Sequence, residues 1–152
     1  MQRNQRTLLI SPIFCDISVF EPRQCHIQNI FQKWWYEYSG QYSLYTGPIA
    51  FEEAGRGDPA AARQRQKMLD KIDVLKPNLN IEKLAEVYAQ ELGIPRKARA
   101  DALHVAYAVF YEMDYLLTWN CTHLANAHVR VKLLIINQKM KLKIRNYARP
   151  NN

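Results

Sequence analysis

The sequence has little of what disulfide-rich, fibrous or membrane proteins need. Cysteine occurs three times, as Cys15, Cys25 and Cys121, and this odd number without close pairs argues against a disulfide framework and a cysteine-rich zinc site. Five Gly and seven Pro among 152 residues exclude collagen-like and disordered classes. Apolar runs stay shorter than the roughly 18 residues that span a membrane. These absences predict one compact cytoplasmic domain with reduced thiols and no membrane segment.

Acidic residues are missing from the last quarter of the chain. Residues 1–114 balance 14 Lys or Arg against 14 Asp or Glu, so the net charge of +7 comes entirely from the segment after Asp114. A basic segment beside a neutral body favours a polyanionic partner, because contacts to phosphates are mainly electrostatic. A solvated basic tail explains the charge equally well. The cations of this segment are Arg130, Lys132, Lys139, Lys141, Lys143, Arg145 and Arg149.

Short apolar runs alternate with longer segments of helical spacing. The predicted strands cover residues 7–15, 42–47, 73–77 and 114–119. The predicted helices cover residues 24–38, 48–72 with a break around 55–59, 81–92 and 96–112. This alternation predicts an α/β fold with a mainly parallel sheet, in one domain over 1–147 with a short tail at 148–152. The segment 129–137 fits either a strand or a helix, and 141–147 fits a last strand.

A few residues predict where the helices begin and end. Asp58 followed by Pro59 is typical of an N-cap with proline in the first helical position. Asn80 is predicted to cap the helix over 81–92, and Gly93 to end it.

Polar and acidic residues recur where predicted strands end or helices begin. Asp16 follows the first predicted strand, Asn120 follows the strand over 114–119, and Asp101 lies in the first turn of a helix. Glu52 and Glu53 begin the helix after the second strand. Converging oxygen ligands at one edge of a parallel sheet suit Mg²⁺ or Mn²⁺. Taken singly, each acid is also explained as a helix cap or as a partner of the helix dipole.

Four motifs resemble the PIN-domain family, and in particular its VapC-like toxin ribonucleases. "RADALHVAYA" (99–108) and "DYLLTWNCTHLAN" (114–126) are similar to the two more specific motifs of that family. "FCDISVF" (14–20) and "IAFEEAGRGD" (49–58) resemble two weaker ones. The order and spacing of the motifs extend over residues 7–145. The resemblance implies a three-layer α/β/α sandwich and a metal-dependent endoribonuclease.

The resemblance also implies roles for single residues. Asp16 and Asp101 would be the main Mg²⁺ or Mn²⁺ ligands, and Glu53 the third acidic residue, with Glu52 as the alternative. Asn120 falls where many PIN domains have a further Asp and would complete the catalytic set. Ser18 falls where a hydroxyl near the metal is usual.

Residues around this acidic set carry further predictions. His104 lies three residues after Asp101, on the same helix face, and would support a metal ligand; a structural histidine bonded to the backbone is the alternative. The resemblance implies an RNA substrate, a cognate antitoxin protein and a homodimer. The predicted RNA contacts are Arg96, Lys97, Arg99, Arg130 and Lys132.

The chain departs from the family motifs at two places. Ile17 stands where the family has Thr, so one small polar contact near the metal is missing. Asn120 is neutral, so the predicted site carries less negative charge and should bind a metal more weakly. These departures motivate a first alternative, a PIN-like domain that binds nucleic acid or protein with little or no cleavage. A second alternative is a structure-specific DNA nuclease. A third, a phosphate-binding module, lacks the glycine-rich loop that it would need.

Overall fold

The chain folds into helices and strands that alternate along the sequence, and the predicted α/β class is confirmed. The computed structural model describes residues 6–11, 33–118, 127–142 and 146–148. The strands are β1 (Arg6–Ile10), β2 (Tyr42–Thr46), β3 (Asp73–Val74), β4 (Tyr115–Leu117) and β5 (Asn146–Ala148). The helices are α1 (33–38 in its described part), α2 (Ile49–Ala54), α3 (Pro59–Leu69), α4 (Leu79–Leu92), α5 (Arg99–Phe110) and α6 (Ala127–Lys139).

The five strands form one parallel sheet in the order β3-β2-β1-β4-β5. The connection after β1 leads towards β2 on one side, and the connection after β4 leads towards β5 on the other. The strand order therefore reverses between β1 and β4. In open parallel sheets such a reversal leaves a crevice at the carboxyl ends of the two strands, and ligands bind there.

Successive side chains of the central strands enter two separate hydrophobic clusters. Leu9 and Leu116 pack with residues of α4, α5 and α6. Leu8, Ile10 and Leu117 pack with Trp34 and with residues of α2 and α3. Because neighbouring residues of a strand point to opposite faces, the sheet is buried on both faces at β1 and β4, which explains why these two strands are rich in apolar residues.

Two of the predicted helix boundaries are confirmed, and one is wrong. The carboxylate of Asp58 accepts a hydrogen bond from the backbone N–H of Ala61 at 2.8 Å, with Pro59 in the first helical position. Gly93 ends α4 with a φ of 65°, a conformation that costs glycine little. The N-cap of α4 is Asn78, whose side chain accepts a hydrogen bond from the backbone N–H of Asn80. The helix therefore begins two residues before the predicted start, and Asn80 is not its cap.

The strands are shorter than predicted. β1 ends at Ile10, and Ser11 lies outside it, so five residues separate the strand from Asp16. β3 ends at Val74 and β4 at Leu117. β5 begins at Asn146, five residues after the start of the predicted last strand, and reaches Ala148.

The ambiguous segment 129–137 is helical and belongs to α6. Leu133 and Ile136 are its buried apolar side chains, and they lie three positions apart on the face that packs on the core. Across the described ranges, no helix has both the length and the hydrophobicity that crossing a membrane requires.

Candidate active site

The carboxyl edge of the sheet brings together the starts of two helices. α2 begins three residues after β2 ends. α5 leads through a short turn into β4. A helix that feeds a parallel strand runs back along the sheet, so the first turn of α5 lies at the carboxyl edge as well. Glu53 on α2 and Asp101 on α5 therefore belong to the same edge.

A hydrogen bond between Glu53 and His104 joins these two helices. Nε2 of His104 lies 2.7 Å from Oε2 of Glu53. The His104 side chain is 1% exposed and the Glu53 side chain 20%. An ionised carboxylate can only accept, so Nε2 carries the proton and donates it. The bond fixes one oxygen of a partly exposed carboxylate, while Glu52, the alternative from the sequence, is an exposed residue.

Asp101 is buried one helical turn before His104. It occupies the first turn of α5, and the residue is 7% exposed. Side chains three apart on a helix are neighbours, about 5–6 Å between their Cβ atoms. The structure therefore places Glu53 in contact with His104 and Asp101 one helical turn before His104 on α5.

The close approach of α2 to α5 depends on a glycine before α2. A Cβ atom at Gly47 would lie 3.1 Å from Cδ2 of Tyr107. Real Cβ contacts are rarely so short, so a larger residue would push the start of α2 away from α5. Burial, with smaller contributions from the nearby Tyr111 and Glu82, raises the pKa of Tyr107.

Arg65 holds the end of α2, and the sequence analysis missed it. This side chain is 3% exposed; its Nε donates to the carbonyl oxygen of Ala54 at 2.9 Å, and its guanidinium also donates to the carbonyl of Arg56. The donors satisfy carbonyls that the helix end leaves without partners. A signal was present, because Arg65 lies four residues after Ala61 and four before Leu69, on the buried stripe of α3.

Hydroxyl side chains lie at the carboxyl ends of three central strands. Thr46 at the end of β2 donates to the carbonyl of Ile10 at 2.9 Å. Ser11 and Thr118 directly follow β1 and β4, and both are buried. Oγ of Ser11 has no hydrogen-bond partner within the described structure. Buried hydroxyl groups therefore lie at the edge where the strand order reverses. The sequence did not indicate this feature.

The predicted RNA contacts form two groups. Arg96, Lys97 and Arg99 are exposed just before Asp101, and the Arg99 guanidinium lies 4.0 Å from the Glu86 carboxylate. An exposed ion pair of this kind adds about 0–1 kcal/mol and leaves the arginine available to other anions. The second group, Arg130 and Lys132, is exposed on α6.

The other predicted site residues lie outside the described residues: Asp16, Ser18 and Asn120. Among the residues that the structure describes, no group of three or more His, Cys, Asp or Glu could hold a metal ion. The described part of the site therefore consists of two carboxylates, one buried histidine and a rim of cations.

Comparison of the chain with protein-family models, with curated proteins and with solved structures found no match.

Proposed function

We propose that the protein is a metal-dependent endoribonuclease of the PIN type, the toxin of a toxin–antitoxin pair. The observation that carries this proposal is the Glu53–His104 hydrogen bond. It draws an acid from α2 to the helix that carries Asp101, at the edge where the strand order reverses. Ligand sites in open parallel sheets occur at that edge.

The finer architecture is part of the proposal. Hydrophobic clusters on both faces of the sheet support a three-layer α/β/α sandwich, with α4, α5 and α6 against one face and α1, α2 and α3 against the other. A buried parallel sheet requires a cover on both sides.

The donor atoms fit a hard divalent cation. Magnesium is commonly held through one or two carboxylates and keeps several waters, so Glu53 and Asp101 are a sufficient protein contribution. His104 donates to Oε2 of Glu53, and the Glu53 carboxylate would remain a ligand for the ion. Asp16 and Asn120 are proposed as additional ligands from the resemblance alone.

In the proposed mechanism the chain positions the scissile phosphate and holds the ion. A bound Mg²⁺ or Mn²⁺ would supply an activated water and would stabilise charge on the phosphoryl oxygens. Glu53 and Asp101 would hold it, and His104 would fix the orientation of Glu53. Arg96, Lys97 and Arg99 bind neighbouring phosphates of the RNA backbone. The mechanism requires no side-chain nucleophile.

A cognate antitoxin and a homodimer are proposed from the same resemblance. The cytoplasm is the proposed location, in keeping with three cysteines that show no disulfide pattern.

The deciding experiment is cleavage of a structured RNA by the full chain in Mn²⁺, in EDTA, and by Asp101→Asn. We expect cleavage in Mn²⁺, none in EDTA, and a loss of at least about 100-fold in the variant, since the substitution removes a metal ligand. Glu91→Gln removes an exposed carboxylate of α4 and should cleave like wild type.

Each competing function gives a different result in this assay. Cleavage that persists in EDTA or in Asp101→Asn contradicts the metal mechanism. A folded, Mn²⁺-loaded wild type that cuts no RNA supports the non-cleaving binding domain. Preferential cleavage of a branched DNA in direct competition supports the DNA nuclease.

A further inference from the structure

Helix α6 exposes an apolar face that the core does not use. Val131, Leu134 and Ile135 are 56%, 52% and 47% exposed. They occupy positions i, i+3 and i+4, so they form one continuous stripe on the helix surface; we name these three residues the α6 stripe. Leu133 and Ile136 point the other way, into the core. A contiguous exposed apolar patch with a polar border is typical of an interaction site.

Cations border the α6 stripe on both sides. With 3.6 residues per turn, Arg130 falls on one flank of the stripe, and Lys132 and Lys139 fall on the other. All three are exposed. The sequence contains no Asp or Glu after Asp114, so α6 itself supplies no acid to neutralise them.

We propose that this face of α6 docks an amphipathic helix of another protein, one with an aliphatic stripe bordered by Asp or Glu. The aliphatic stripes would exclude water from each other, as when an amphipathic helix lies against an apolar surface. The acidic borders would meet Arg130 on one side and Lys132 and Lys139 on the other, and such complementary charge selects the partner and its orientation.

The charge and the chemistry of the surface disfavour other occupants. A second copy of α6 would bring like charges together along both borders, which costs free energy. RNA bases stack on aromatic side chains or on arginine planes, whereas the α6 stripe is wholly aliphatic. The proposal concerns a protein partner and stands whether or not the chain cleaves RNA.

The test uses the full chain and a labelled, helix-stabilised peptide about four turns long. The acidic peptide carries Leu and Ile in a stripe with Glu on both borders, and a matched basic peptide carries Lys in place of Glu. Fluorescence anisotropy should show saturable binding of the acidic peptide and at least about tenfold weaker binding of the basic one, because the borders of α6 repel it.

Two double variants separate the apolar and the charged contributions. Leu134→Gln with Ile135→Gln removes apolar surface and preserves the helix, because glutamine is a good helix former. This variant should bind the acidic peptide about tenfold or more weakly. Arg130→Glu with Lys132→Glu should weaken binding of the acidic peptide and strengthen binding of the basic peptide. Lys71→Glu changes an exposed cation outside α6 and should leave both affinities unchanged. Circular dichroism checks that each variant is folded.

Several results would overturn the proposal. One is equal binding of the acidic and basic peptides, or binding that the Gln variant leaves intact. Another is self-association of the wild type that the Gln variant abolishes, which assigns the stripe to a second copy. Sedimentation with phosphatidylserine vesicles that depends on the stripe assigns it to a membrane. Loss of affinity for a single-stranded RNA in the Glu variant, without any peptide binding, assigns the cations to RNA.

Discussion

Helices α5 and α6 have similar lengths and opposite relations to the rest of the molecule. α5 buries eight of its twelve residues, including Asp101 and His104, whereas α6 buries three of thirteen. Both helices carry apolar residues around most of their circumference. In α5 the fold covers most of these residues, whereas in α6 Val131, Leu134 and Ile135 remain at the surface. Hydrophobicity on all sides of a helix can therefore mark either an interior helix or a helix with two binding faces.

The largest expected effect tests the side of α5 that faces α2. Glu53→Gln removes the carboxylate charge that we assign to metal binding while it keeps the shape of the side chain. We expect RNA cleavage to fall about 100-fold, as for the loss of other groups at a metal site. Glu52→Gln, one residue away on the exposed side of α2, should leave cleavage within about twofold. Equal losses in both variants would contradict the assignment of Glu53.

The two helices each carry a histidine, and these histidines give a matched pair. His104→Ala removes a buried donor to Glu53 and should lower cleavage about 10- to 100-fold. His104→Gln, whose amide N–H can replace Nε2–H, should recover most of this loss. His128→Ala, at an exposed position of α6, should change little. A steady-state assay at several Mn²⁺ concentrations should show a higher metal requirement for His104→Ala; an unchanged requirement would assign His104 a purely structural role.

Two valines compare the packing of the helices directly. Val105 on α5 is fully buried, and Val131 on α6 is largely exposed. Val105→Ala should lower the free energy of unfolding by about 2 kcal/mol, because it leaves a cavity in the core. Val131→Ala should stay within about 0.5 kcal/mol, since alanine favours the helix and no buried contact is lost. Urea titrations measure both, and an equal cost at Val131 would show that this chain itself covers the α6 stripe.

The smallest effect concerns the buried side of α6. Tyr88 of α4 donates its phenol hydrogen to Oδ1 of Asn137, and burial raises the pKa of Tyr88. The unfolded chain loses this proton near pH 10 and the folded chain keeps it, so the free energy of unfolding falls above pH 10 by about 1.4 kcal/mol per pH unit. Below pH 10 this contribution is fully present.

Tyr88→Phe separates this titration from that of other groups. At pH 8 the variant should be less stable by about 1 kcal/mol, because Asn137 loses a buried partner. At pH 11 the difference between variant and wild type should shrink or reverse in urea titrations. A difference that is the same at both pH values would show that Tyr88 does not titrate as a buried group.

The sequence predicted the alternation of strands and helices, because apolar residues are continuous in buried strands and three or four positions apart in amphipathic helices. It left α6 open, since the segment 129–137 is rich in β-branched residues that favour a strand, while Val129, Leu133 and Ile136 have helical spacing. Packing against α4, through Tyr88 and Asn137, favours the helix. Tertiary contacts of this kind override weak local preferences.

The candidate site was predictable in outline only. The positions of Glu53 and Asp101 after a strand and at a helix start indicated a shared sheet edge. The preference for Glu53 over Glu52 depends on the rotation of α2 against α5, which the spacing of two adjacent residues does not determine. Arg65 and Ser11 were missed because a buried arginine and a buried hydroxyl after a strand match no catalytic motif.

Because β4 lies next to β1 in the sheet, the proposed site can form only after both strands have been synthesised. Thr7 and Asp114 are hydrogen-bonded to each other across 107 positions of the chain, and β1 pairs with β4 from Leu8 to Ile10. Contacts between such distant parts of a chain form late and slow the folding of a domain. A ribosome must release the chain beyond Leu117 before β4 can pair with β1. Until then, the growing chain carries Glu53 and Asp101 without the sheet edge that makes them a site.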